Sequence, residues 1–148
     1  MLRRAERGIL AAMADIGSIV IVGGGEAAYH AAKTLREQGY EGKLAVVGAE
    51  GQPPYQRPPL SKGYLHGGQS REDLDFAPGS WYQEQRIDLR TATTVRSLDR
   101  AARQAVLADG TRLGYDRRLL VTGSRARTLP FRTHSSAVGD SKPLRDER

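Results

Sequence analysis

The stretch Gly23-x-Gly25-x-x-Ala28 offers the clearest chemistry in the chain. A glycine at the first position permits a tight turn, and one at the second lets the main chain approach a pyrophosphate closely. A small residue at the third lets a following helix pack on the preceding strand. A phosphate held there would meet the unpaired N–H groups and the positive dipole end of that helix. Gly24 and Ala27 lie in the same turn and are grouped with it as candidate contacts. The pattern suits an ADP-containing dinucleotide without choosing NAD over FAD, and a glycine turn that binds nothing is the alternative. Glu26 is a mild conflict, since its carboxylate falls where phosphate charge must be accommodated.

An acid about 20 residues further on is the usual partner of the ribose hydroxyls. Glu50 is the acid at that spacing, after Gly48-Ala49, with a solvated loop glutamate as the other reading. Next comes Pro54-Tyr55-Gln56-Arg57-Pro58-Pro59-Leu60-Ser61-Lys62. The four prolines between residues 51 and 59 exclude regular structure and stiffen the loop. Arg57 and Lys62 are thereby presented with little entropy left to lose. Two fixed cations beside a dinucleotide site suit a pyrophosphate and an electron-rich ring that gains negative charge on reduction. No side chain stands out as a catalytic acid, base or nucleophile. Cysteine is absent, which removes disulfides, thiolate metal sites and a catalytic dithiol. His30, His66 and His134 lie too far apart for ligand spacing, so no metal site is expected.

The elements that must position these residues follow from periodicity. Residues 18–22, Ser-Ile-Val-Ile-Val, form a β-branched run suited to one buried strand. A helix follows, with Ala27, Ala28, Ala31, Ala32 and Leu35 on its apolar face and Gly39 as its stop. Residues 44–47 give a second buried strand. Strand, glycine turn, helix and strand in about thirty residues make a βαβ unit and hence a parallel sheet. Ser61 is expected to cap a short helix over 61–65, residues 69–78 to be a polar connection, and Ser80 to cap a helix over 81–85. Residues 87–89 read as a strand. Residues 94–98, 104–107 and 112–115 read as an antiparallel meander, with Asp109-Gly110 as its hairpin turn. Leu119-Leu120-Val121 reads as a further buried strand ending in Thr122-Gly123.

The net charge of +6 raises the question of nucleic acid, but its distribution argues against it. Residues 112–148 hold nine Lys+Arg against four Asp+Glu, or +5 of the total, and no aromatic residues alternate with them as on a single-strand binding face. No window reaches the ~20 uncharged apolar residues of a membrane helix. The apolar stretch after Met1-Leu2-Arg3-Arg4 is short and interrupted by Asp15, so a signal peptide is not expected and the default compartment is the cytoplasm. Residues 1–15 are expected to be a disordered extension, with the ordered domain beginning near Met13 to Ile16. Periodicity stops after Pro130, and residues 131–148 are expected to be a disordered or out-of-family tail.

The nine-residue run from Pro54 to Lys62, following a βαβ unit, resembles the signature of the FAD-dependent ferredoxin, rubredoxin and putidaredoxin reductases. That group includes the apoptosis-inducing-factor flavoproteins. The resemblance extends through residues 81–89, Thr94-Val95, residues 107–111 and residues 115–123, or roughly Ile19 to Pro130. It implies an α/β, Rossmann-like FAD-binding domain, a parallel sheet with an antiparallel β-meander, present here in part. Gly23, Gly25 and Ala28 would lie on the FAD pyrophosphate, Arg57 and Lys62 along the cofactor with Lys62 near the isoalloxazine, Val95 at the adenine, and Thr122-Gly123 lining the cavity. The resemblance further implies hydride uptake from NADH or NADPH and single-electron transfer to a small iron–sulfur protein, without a redox cysteine pair. Two departures stand out. Relatives carry the ribose-binding acid where this chain has Ala49, and they continue into a nicotinamide-binding domain not recognisable here. Ala137-Val138-Gly139-Asp140 only faintly resembles their returning Gly-Asp pair. A gene remnant that binds nucleotide weakly or not at all is the second reading.

Overall fold

The computed structural model describes residues 15–124, so the expectations for the N-terminal extension, the tail and residues 137–140 lie outside the described residues. Strand β1 (Ser18–Val22) is the centre of the fold. Its last four residues are buried, as expected of a strand covered on both faces. Helix α1 (Glu26–Glu37) follows, and β2 (Lys43–Val47) returns parallel to β1, with Ser18 beside Lys43 and Val22 beside Val47. The helix has Glu26 in its first turn and Arg36 in its last, the signs that complement its dipole. Gly39, at φ +80°, lets the chain turn back after it.

Two further strands complete a parallel sheet in the order β3-β2-β1-β7, where β3 is Ile87–Arg90 and β7 is Arg117–Leu120. Between them β4 (Val95–Asp99), β5 (Gln104–Leu107) and β6 (Arg112–Gly114) form the antiparallel meander. Its turn is the expected one, with Gly110 at φ +87° and the Thr111 N–H bonded to Asp109 Oδ1 at 2.8 Å. Alternation along β1 divides the core. Ile19 and Ile21 pack with Ala28, Tyr29 and Ala32 of α1 and with Tyr82 of the short helix α2 (Gly79–Glu84). Val20 and Val22 pack with Ala105, Leu107 and Tyr115 on the meander side.

The structure corrects several local expectations. Ala27 is exposed, and Tyr29 takes the core-facing place beside Ala28 and Ala32. Instead of a helix over 61–65, a 3-10 turn covers Pro58–Ser61, where two prolines start a tight coil closed by Lys62 N–H to Pro59 O at 2.9 Å. Ser80 caps nothing, because α2 starts two residues earlier than expected, at Gly79 behind the extended Pro78. The polar connection contains a 3-10 turn, Glu72–Leu74, whose Leu74 is wholly buried. Leu119 and Leu120 are 38% and 52% exposed rather than buried. Strand β7 begins two residues early and pairs only with β1 among the described residues, so at this sheet edge its leucines, on opposite faces, have fewer neighbours to cover them.

Two polar devices fasten the frame. Arg36 donates to the carbonyls of Tyr40 (2.5 Å), Gln85 (2.7 Å), Arg86 (2.8 Å) and Gly42 (3.1 Å), tying the end of α1 to the starts of β2 and β3. Asp116 joins the start of β7 to that of β1, its Oδ2 accepting the Ser18 N–H at 2.8 Å and the Ser18 hydroxyl at 3.0 Å. The Ser18 hydroxyl, helped by backbone N–H groups, holds the Asp116 carboxyl below the usual aspartate range. A lowered folded value means that stability is present above the unfolded value and is lost as pH falls through the folded one. Asp116→Asn is therefore expected to lower the urea midpoint at about pH 6, by a gap that narrows as pH is lowered toward about 3. Equal gaps at both pH values would assign the bond no ionic character.

Candidate functional site

The register of the parallel sheet brings the carboxyl ends of its four strands to one level: Val22 lies beside Val47 and Leu120, and Val47 beside Arg90. Beyond that level lie Gly23–Gly25, Gly48–Glu50, residues 91–94 and Val121–Gly123. The strand order diverges at β1. Chain leaving it through α1 goes to β2 on one side, while β7 arrives on the other. A crevice outside the strand ends at such a point is where open α/β sheets bind ligands.

The glycine turn is built for close approach. Gly23 has φ +130°, and its N–H bonds Val47 O at 2.8 Å. A Cβ there would overlap the Val121 carbonyl, so the chain passes between the ends of β2 and β7 only as glycine. Gly24 and Gly48 meet face to face, a Cβ on either coming within 3.0 Å of the other's Cα. Gly25 caps α1 with extended backbone and no side-chain bond, and a Cβ on it would meet nothing within 4 Å. The helix thus starts at an open space with no side chain of its own capping it. Ala28 is fully buried, and its smallness seats the helix on the sheet as the spacing implied. The Glu26 carboxylate lies 3.7 Å from His30 Nε2, one turn along the helix, with both side chains exposed.

Glu50 and Arg57, expected separately, form one unit. Arg57 Nη2 bonds Glu50 Oε1, and the Tyr55 hydroxyl donates to Oε2 at 3.0 Å. The main chain of this corner is bonded to the β3–β4 connection, Ala92 N–H to Glu50 O at 2.6 Å and Thr93 N–H to Gly48 O at 2.8 Å. Lys62 is exposed at the end of the Pro58–Ser61 turn. Val95 starts β4 and is half-buried against the meander-side core, while Thr122 and Gly123 are exposed just past β7, Gly123 at φ +74°. Sequence reasoning gave no role to Tyr55, Arg71 or Asp75, which adjoin this unit. Only Tyr55, inside the proline run, carried a signal.

Taken together, the sheet, the glycine turn and the open helix start define a dinucleotide-binding α/β domain. The family model for pyridine nucleotide-disulphide oxidoreductases matches residues 17–147, and the chain belongs to that family. The match runs on past residue 130, where the periodicity stops. Rhodocoxin reductase of Rhodococcus erythropolis is 45% identical over 113 residues, 76% of this chain and 26% of that protein. Putidaredoxin reductase of Pseudomonas putida is 41% identical over 128 residues, 86% of this chain and 30% of that protein. Among solved structures, the reductase in a covalent putidaredoxin reductase–putidaredoxin complex matches with a TM-score of 0.74 and 41% identity, over 77% of this chain and 27% of that one. The ferredoxin reductase for the CYP199A2 system of Rhodopseudomonas palustris matches with a TM-score of 0.72 and 39% identity, over 77% and 28%. The chain therefore spans between a quarter and a third of the length of these relatives.

Proposed function

We propose that the chain is the FAD-binding part of an NAD(P)H-dependent flavoprotein reductase that passes electrons to a small ferredoxin-type iron–sulfur protein. The observation that carries this reading is the open start of α1 at Gly25, at the strand-end crevice, in a chain whose relatives are reductases of such proteins. Gly24, Gly25 and the first turn of α1 with Ala27 would receive the pyrophosphate. Glu50 would take the adenosine ribose, Val95 would lie near the adenine, and Arg57 and Lys62 would run along the cofactor. Thr122 and Gly123 would border it from the β7 side. FAD, when bound, supplies the hydride and single-electron chemistry, and the chain's own residues bind and orient it.

We read the 148 residues, tested alone, as binding FAD without turning over NADH or NADPH, because hydride transfer needs the nicotinamide held about 3–3.5 Å from the ring. In the reductases this chain resembles, that grip belongs to a separate domain. No helix among the described residues is long and apolar enough to cross a membrane.

Titration with FAD and with NAD, followed by flavin fluorescence and thermal unfolding, tests the cofactor choice. FAD is expected to stabilise the chain more, by about 2.7 kcal/mol at a hundredfold excess over its Kd. Equal or stronger stabilisation by NAD would overturn the FAD assignment, and no effect of either would favour the remnant.

A further inference from the structure

We propose that Tyr55 and Arg71 are positioning residues of the cofactor site, forming with Asp75 a clasp that holds the Glu50–Arg57 pair ready for the ligand. The inference rests on the FAD reading above and adds to it a segment, residues 71–76, that no glycine or proline motif contains. Tyr55 is the hub. Its hydroxyl fixes one oxygen of Glu50 while Arg57 takes the other. The guanidinium carbons of Arg57 and Arg71 lie 5.3 and 4.5 Å from the centre of its ring, inside the range of cation–π attraction.

The Glu50–Arg57 pair could not hold this geometry unaided. Its side chains are 47% and 53% exposed, and exposed pairs are weakened by solvent and by the entropy of two long side chains. The pair behind it is firmer. Arg71 Nη1 bonds Asp75 Oδ1 at 2.5 Å, with side chains only 26% and 24% exposed. Main-chain bonds join the two segments. Tyr55 and Asp75 form an antiparallel bridge, Gln56 N–H bonds Leu74 O at 2.8 Å, and Phe76 N–H bonds Pro54 O at 3.3 Å. Leu74, which lies between these contacts in the chain, is wholly buried. A ligand therefore meets Glu50 and Arg57 already ordered, and ordering done before binding does not reduce affinity.

The test uses the whole chain and FAD itself. Tyr55→Leu removes ring and hydroxyl, Tyr55→Phe the hydroxyl alone, and Arg71→Met the charge, while Arg71→Lys restores charge without the planar guanidinium. FAD dissociation constants are expected to rise about tenfold for Tyr55→Leu and Arg71→Met and about threefold for Tyr55→Phe, with partial recovery in Arg71→Lys. Ligand-free amide exchange gives a readout independent of FAD. It should quicken at Gln56 and Phe76 in Arg71→Met and stay unchanged in Lys62→Ala. Unchanged exchange in Arg71→Met would overturn the clasp. So would parent-like FAD affinity in Tyr55→Leu and Arg71→Met, provided Lys62→Ala weakens binding. Parent-like affinity in Lys62→Ala and in a bulky Gly25 variant would instead remove the FAD reading, leaving the exchange data to judge the clasp alone.

Discussion

Gly23→Ala is expected to lower the unfolding free energy by about 4 kcal/mol, a large part of the ~5–15 kcal/mol typical of a domain. Two costs add. Alanine at φ +130° occupies a backbone region that side chains rarely adopt, and its Cβ would overlap the Val121 carbonyl oxygen and lie 2.7 Å from the carbonyl carbon. Neither wall can retreat easily. Gly23 N–H is bonded to Val47 O and Val121 N–H to Val22 O, both at 2.8 Å, so the turn is tied to β2 on one side and to β7 on the other. Urea unfolding followed by circular dichroism measures the loss. Gly25→Ala is the control, since its backbone is ordinary and the space around it is open. It is expected to cost no more than about 1 kcal/mol, the usual difference between glycine and alanine at a helix cap. A Gly23→Ala chain as stable as the parent would mean that the strand-to-helix turn does not pass between the ends of β2 and β7.

The contrast between these glycines illustrates what can be read from sequence. Local signals carried the βαβ unit: the β-branched run of β1, the glycine turn and the alanines of α1 each specify structure within a few residues. The meander was equally legible, because Asp109-Gly110 sets its register locally. Burial of Leu119 and Leu120 was misread because a strand's neighbours are not encoded in the strand. Two leucines look the same in a central strand and at an edge. Leu74 went unseen for the opposite reason, being a single apolar residue in a polar stretch with no periodicity around it. At the candidate site, residues could be singled out by type in the sequence, but their partnerships with one another could not. Glu50 and Arg57 were assigned separate contacts with ribose and cofactor, yet an irregular loop folds seven residues so that they pair with each other. Arg71 and Asp75 reach Tyr55 only through a bridge between two loops, which no spacing rule foretells.

Gly25→Val is expected to leave the fold intact and to weaken FAD binding by about a hundredfold, equivalent to roughly 2.7 kcal/mol. Valine adopts the extended backbone of this cap without strain, and its Cβ meets no protein atom within 4 Å. The Gly25 carbonyl can still accept the Ala28 and Tyr29 N–H groups, at 3.0 and 3.2 Å, that begin α1. What the side chain fills is the space in front of the helix start. A pyrophosphate there would gain charge-assisted bonds from unpaired N–H groups and the helix dipole, each of which weakens steeply once the anion is pushed away. The loss should fall on the ligand and not on the frame, the reverse of Gly23→Ala. Urea unfolding of the ligand-free chain and flavin fluorescence titration, run on both variants, separate the two effects. If Gly25→Val bound FAD as tightly as the parent, the cofactor would not lie across the start of α1, and the open space at Gly25 would be mere solvent-exposed surface.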